Sequence, residues 1–393
     1  MKQIEVDVLI VGGGVAGLWC LNRLVQEGYN AILFEKRALG GAQTCLSQGI
    51  IHGGAKYTLN GMLSGAASAI GDMPSRWRNC LQGTGDIDLR DTRLLSDAHY
   101  LWSNGSLSQR MTGFFASKAM RSRTQKVSAD ERPAIFRAPG FRGQVYRLDE
   151  LVLDTPSLVR NLSAPHQDRI FQIDAADDTT FHPETATAPA RLELNRQGVT
   201  LMPKQVLLTA GEGYADLAKT FGLQEPEMQL RPLHMALVSH QDGFDLFAHC
   251  IGASAKPLLT VTTHRAASGR HVWYLGGELA ESGVDMTSEE VIERGQSTLR
   301  QLLPWITLKS PQWRTVRVNR AEPKQSGGVR PDTAFVERRG PILVTWPTKL
   351  ALSPNLADRV LEQLDPPSGT HSDLSALQAS QPVPLTATAW EDM

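Results

Sequence analysis

Residues 4–36, IEVDVLIVGGGVAGLWCLNRLVQEGYNAILFEK, limit the architecture more than any other stretch. The run to Val11 is short, apolar and β-branched, the pattern of a strand buried on both faces of a parallel sheet. Three glycines interrupt it. Leu18, Leu21, Leu24 and Val25 then recur at helical spacing, and Gly28 ends the helix. AILFEK returns to a buried strand that closes on Glu35. Strand, helix and strand in this order form a right-handed parallel unit, which places the chain in the α/β class.

Gly12, Gly14 and Gly17 stand in G-x-G-x-x-G spacing between that strand and helix. The first allows a tight turn, the second lets a pyrophosphate approach the backbone, and the third lets helix and strand pack closely. The helix N-terminus, with Val15 and Ala16 in its first turn, offers free N–H groups and partial positive charge to phosphates. Glu35 lies at the offset where an acid accepts from ribose hydroxyls, and Lys36 and Arg37 follow it. The unit is a dinucleotide site; NAD and FAD both suit an acid there. Two features favour FAD. VLLTAGEGYADL repeats the strand and glycine turn, so that Ala210, Gly211 and Gly213 bring backbone close to a ligand. After Glu35 the chain runs on as KRALGGAQTCLSQGIIHGG, an irregular loop that needs something such as a tricyclic ring to pack on. Gln43 belongs to that loop.

The 393 residues carry a formal net charge of -1 and are 41% hydrophobic, enough for one large core or two domains. Balanced charge provides no global field for nucleic acid or an anionic membrane. Cys20, Cys45, Cys80 and Cys250 are scattered without metal or redox spacing, which predicts reduced thiols and a cytoplasmic protein. The apolar N-terminal run lacks the basic leader of a signal peptide, and no apolar run predicts a transmembrane segment.

Strand patterning returns after an intervening region of alternating strands. This predicts a Rossmann-like FAD-binding domain of the glutathione-reductase type from residues 1–80, 146–226 and 328–365. An α+β substrate domain with a large, mostly antiparallel sheet then comes from residues 81–145 and 227–327. Asp154 or Thr155 caps a helix before Pro156, and Thr287 with Glu290 predicts a capping box. Residues 366–393, rich in Pro, Ser, Thr and Ala, read as an extended or mobile tail.

DVLIVGGGVAGLWCLNRL, SQGIIHGGAKY, VLLTAGEGYADL, WYLGGELAESGVD and GGVRPDT…GPILVTWPTKLALSPNLADRVL together resemble the D-amino-acid oxidase-like FAD-dependent oxidoreductases. That family includes glycine oxidase, sarcosine oxidase, glycerol-3-phosphate dehydrogenase and 2-hydroxyglutarate oxidase. The resemblance implies non-covalent FAD, with Thr44, Ser47, Gln48, Gly49 and Ile50 lining the isoalloxazine and Gly53 and Gly54 turning the backbone beside it. Ile173, Thr348, Lys349 and Leu350 join the cofactor set. His52, Lys56 and Tyr57 are expected at the mouth of a substrate cavity, with Lys56 contacting substrate. Arg330, in GGVRP, matches an Arg-Pro that clamps substrate carboxylate in the glycine oxidase branch. TWPTKLALSP replaces the Gly-His-Gly-type loop of many relatives.

The implied activity is oxidation of a small anionic amino acid, hydroxy acid or polyol phosphate by hydride transfer to flavin, with oxygen or a quinone as electron acceptor. His52, Tyr57, Arg330 and Lys349 are the catalytic candidates, and Arg317 and Arg320 are additional anion-binding candidates. His52 suits proton acceptance, since a free imidazole titrates at about 6.5; its competing role is a neutral His bound to backbone. His234 reads as structural, and His264 and His271, flanking a hairpin, are expected at the surface. No metal constellation is apparent. A non-catalytic FAD-binding protein and an NAD-dependent dehydrogenase are the other readings.

Overall fold

The computed structural model describes residues 2–53, 70–103, 124–185, 190–252, 256–325, 333–377 and 382–393. Among these, two eight-stranded sheets and one three-stranded sheet organise the chain.

The first sheet is built on β1 (Lys2–Val11), whose last six residues are all buried. It pairs in parallel with β2 (Ala31–Glu35) on one side and with β12 (Val199–Leu208) on the other. Beyond β2 lies β9 (Ile170–Gln172), also parallel. The outer side of β12 is shared: β11 (Arg191–Leu194) and β10 (Thr179–His182) continue antiparallel from its start, while β19 (Ile342–Trp346) runs parallel to its end and pairs with β18 (Phe335–Arg339). Helix α1 (Val15–Gln26) crosses from β1 to β2 and buries Leu18, Trp19, Leu21 and Leu24, as its spacing predicts.

The second sheet runs in the order β17 (Gln312–Pro323), β13 (Met228–His240), β16 (His271–Gly276), β15 (Pro257–Arg265), β14 (Ala248–Ile251), β5 (His99–Ser103), β7 (Gln144–Leu148) and β6 (Thr124–Lys126). All its pairs are antiparallel except β14 with β5. The helix Ser288–Leu302 packs on it and starts at the expected capping box of Thr287 and Glu290. The third sheet joins β3 (Ile50–Ile51), β8 (Leu151–Leu153) and β4 (Leu94–Ser96).

The chain leaves the second sheet at the end of β7. Residues 146–148 belong to the second sheet as the end of β7, so the chain returns to the nucleotide side only afterwards. Ile87 and Leu89 pack in the same core as α1 and Trp77, and Leu89 N–H donates to the Cys80 carbonyl near the end of the helix Met73–Leu81 at 2.9 Å. The C-terminal segment is extended but not loose. Leu377, Val383 and Trp390 are buried, and Leu39 bridges to Leu385. Its few apolar anchors are spaced too widely to register as a periodic element.

Candidate active site

Gly12 adopts φ +118, a conformation costly for any residue with a Cβ. A Cβ on Gly17 would stand 2.0 Å from the Gly12 carbonyl oxygen, so α1 packs on the turn only because that atom is missing. Gly14 is different: a Cβ there would meet only the Thr44 hydroxyl, at 3.3 Å, so the space before it is open. Gly14 is the N-cap and has no side chain to cap with. Thr44, from the loop after β2, accepts from the Val15 N–H instead at 3.1 Å. Glu35 accepts from the N–H groups of Gly13 (2.7 Å) and Arg37 (3.0 Å), which fixes its carboxylate at the edge of the turn.

A cavity of about 860 Å³ opens in front of this turn. Gly12, Gly14, Val15, Ala16, Glu35, Lys36, Arg37, Gln43, Thr44, Ser47, Gln48, Gly49, Ile50, Ile173, Ala210, Gly211, Gly213, Thr348, Lys349 and Leu350 all line it. Gly17 is buried behind it. The open space at Gly14, the helix N-terminus and the size of the cavity together suit a dinucleotide. Gln43 and Gln48 are also structural: Gln43 accepts from Ala321 N–H at 2.9 Å, and Gln48 donates to the Tyr274 carbonyl at 2.9 Å. They fasten the cofactor loop to the second sheet, which roofs the cavity with Leu233, Met235, Val318 and Arg320.

His52 lies at the wall, with its side chain 27% exposed. Its Nδ1 is 3.1 Å from Oε2 of Glu150, a carboxylate almost wholly withdrawn from solvent. The other Glu150 oxygen accepts from Gly53 N–H at 3.1 Å. Beyond lie His249, its ring centroid 6.1 Å from that of His52, and His99, 4.1 Å from His249. His249 Nδ1 is 2.7 Å from the Thr260 hydroxyl. Ligand-type atoms of His52, Glu150 and His249 come within 4.8 Å of one another, a convergence absent from sequence spacing. The His52–Glu150 and His249–Thr260 contacts are of hydrogen-bond length, which accounts for the arrangement without an ion. Glu150, His249 and His99 escaped the sequence reading. The available signal was an acid set directly before the buried run LVL of β8.

Lys349 is 6% exposed at the cavity wall. Arg320 lines the cavity too, donating from Nε to the Arg231 carbonyl at 3.2 Å, with Glu281 3.9 Å from Nη2. Arg317 does not belong with it. Its guanidinium donates to the carbonyls of Val284 (2.6 Å) and Met286 (2.8 Å), and Arg317 is not among the residues that line the cavity. Lys56, Tyr57, Arg330 and Gly54 lie outside the described residues. His234 is structural, with Nδ1 3.2 Å from the Gly283 carbonyl. His264 corrects the expectation of a surface position: it is 1% exposed beneath Trp390, and burial pushes its imidazole down to about 3. His271 is mostly covered as well, at 15% side-chain exposure. All four cysteines are free and buried, and burial raises the thiols of Cys20, Cys45 and Cys250 to about 12.

The model of the FAD dependent oxidoreductase family matches residues 7–352. The chain belongs to this family. As an FAD-dependent oxidoreductase it is 47% identical over 391 residues to a probable FAD-dependent oxidoreductase of Pseudomonas aeruginosa, covering 99% of this chain and 98% of that one. The crystal structure of that Pseudomonas protein superposes with a TM-score of 0.81 and 40% identity, over 99% and 98% of the two chains. Glycine oxidase from Geobacillus kaustophilus shares the fold at TM-score 0.66 and 15% identity, over 95% and 98%. L-α-glycerophosphate oxidase from Mycoplasma pneumoniae, solved with FAD bound, does so at 0.64 and 12%, over 99% and 100%. The cofactor is FAD, and the glycine turn, Glu35 and the loop to Ile50 are the residues that fit it. Among the described residues no helix is long and apolar enough to cross a membrane.

Proposed function

We propose that this oxidoreductase oxidises a small anionic amino acid, hydroxy acid or polyol phosphate, with non-covalent FAD. The observation that carries the reading is the composition of the cavity wall. The cations Lys349 and Arg320 share it with His52, and Glu150 backs His52. FAD, when bound, supplies the hydride acceptor. The protein then has three tasks: to hold the substrate's anionic group, to take a proton from its hydroxyl or ammonium, and to exclude water.

Lys349 and Arg320 serve the first task. With a net charge of -1, the chain attracts an anion only through such local cations. Arg330, placed by the resemblance of GGVRP, adds a planar fork suited to a carboxylate. His52 serves the second. Glu150 fixes the ring through Nδ1, and its negative charge favours the imidazolium that forms on proton uptake. The second sheet serves the third by roofing the cavity. Oxygen or a quinone then takes the electrons.

The test is anaerobic bleaching of the flavin by amino acids, N-methyl amino acids, 2-hydroxy acids and polyol phosphates. One anionic class should bleach it, and Arg330→Ala should raise the concentration required about 30-fold or more. Bleaching by neutral donors alone would sink the anion-binding assignment. Failure of all donors, with artificial acceptors included, would favour a non-catalytic flavoprotein.

A further inference from the structure

The C-terminal segment crosses from one large sheet to the other over the cofactor loop. At its near end, Leu39 donates its N–H to the Pro384 carbonyl at 2.8 Å, and Thr386 donates its N–H to the Leu39 carbonyl at 3.0 Å. Leu39 is also part of the nucleotide turn: the next residue, Gly40, donates to the Gly13 carbonyl at 2.9 Å. The loop after β2 is therefore held between the glycine turn and the tail. Thr386 itself reaches the cavity wall, and a Cβ on Gly41 would stand 3.5 Å from its hydroxyl oxygen.

At its far end the segment is anchored to the roof. Trp390 is 3% exposed and lies flat on His264, with centroids 3.9 Å apart and planes at 23°. Tyr274 lies on another side of the indole at 5.5 Å. The Tyr274 hydroxyl donates to the carbonyl of Leu46, a residue of the cofactor loop that lines the cavity, at 2.9 Å. Ala267 N–H donates to the Glu391 carbonyl at 2.8 Å, the Ser268 hydroxyl to the Met393 carbonyl at 3.1 Å, and Arg314 pairs with Asp392.

We propose that residues 382–393 form a strap that retains FAD. By this assignment the strap clamps the loop from Lys36 to Gln48 at Leu39 and, through Trp390 and Tyr274, at Leu46. Thr386 adds a hydroxyl to the cofactor-binding wall. The physical basis is preorganisation: a loop already fixed before binding loses less freedom when the ligand enters. Unlike the substrate reading, the strap depends only on FAD binding.

The test follows FAD release from diluted holoprotein by the recovery of flavin fluorescence, with circular dichroism of the released protein as the folding control. Three variants are compared with wild type: Trp390→Ala, Thr386→Val and a chain ending at Gln381. Trp390→Ala and the shortened chain should weaken FAD binding about tenfold or more, by releasing an ordered loop. Thr386→Val should weaken it about three- to fivefold, the worth of one hydrogen bond. A synthetic peptide of residues 382–393 should slow release from the shortened chain. Wild-type release in Trp390→Ala overturns the strap, and wild-type release in Thr386→Val removes the hydroxyl contact. Should the shortened chain not fold, the two point variants decide. FAD loss in Trp390→Ala accompanied by loss of secondary structure also counts against the strap.

Discussion

Oε2 of Glu150 lies 3.1 Å from Nδ1 of His52, 98 positions away in the sequence, and its other carboxylate oxygen accepts from the N–H of Gly53. One buried acid thus sets both the ring orientation of His52 and the backbone that follows it. Glu150→Gln keeps the shape but removes the charge. It should slow flavin reduction about 10- to 100-fold and move the pH–rate profile to lower pH, with FAD content unchanged. Stopped-flow reduction across pH measures both. An unchanged profile would show that His52 does not exchange the proton.

Gly14 and Gly17 should fail in opposite ways. Gly14→Val places a branched side chain in the open cradle, near only one protein atom, so the chain should fold and lose FAD. Gly17→Ala forces a Cβ against the Gly12 carbonyl, so it should lower the melting temperature whether or not FAD is present. Thermal melts read alongside flavin absorbance at about 450 nm separate the two, because bound flavin absorbs there. Stoichiometric FAD in Gly14→Val would refute the placement of the pyrophosphate.

Arg320→Ala and Arg317→Ala should also diverge. The first removes a cavity cation and should raise the substrate constant about tenfold or more. The second frees a loop and should leave that constant within about twofold. Steady-state kinetics with the substrate identified by flavin bleaching decide between them.

Stability should fall on acidification. Burial pushes His240 down to about 4 and His264 to about 3, against about 6.5 for the same side chains in an unfolded chain. Between these values the unfolded state binds more protons than the folded one, so stability rises with pH there. It should be complete above about pH 6.5 and decline as pH falls toward 4 and 3. His264→Gln should flatten part of this decline in urea titrations at several pH values. Trp390 covers His264, so its fluorescence should report the acid-induced opening.

The glycine turn was legible because each glycine answers a local demand, and so was the capping box of Thr287 and Glu290. The loop from Gln43 to Ile50 was legible only as something unfit for regular structure, and the resemblance gave it a role. Glu150 was hidden because its partner is remote in sequence and nothing local marks a buried acid as paired. The placement of Arg317 away from the cavity lining had a signal in the strand pattern. Val318 and Arg320 line the cavity, and side chains alternate along β17, so residue 317 faces the other way. The tail misled by composition: three well-separated apolar anchors suffice to pin a segment that otherwise looks unfolded.

The position of β1 has a consequence for biosynthesis. Its neighbours are β2, which emerges at once, and β12, which starts only at Val199. A nascent chain therefore displays a hydrophobic strand with one bare edge until about half the protein has left the ribosome. The second glycine turn, at Gly211, arrives just after that edge is covered. Vectorial synthesis thus orders events: β1 is paired early by β2 but gains its second neighbour only once β12 has emerged. High contact order of this kind slows folding and lengthens exposure of an aggregation-prone strand, which chaperones are suited to shield.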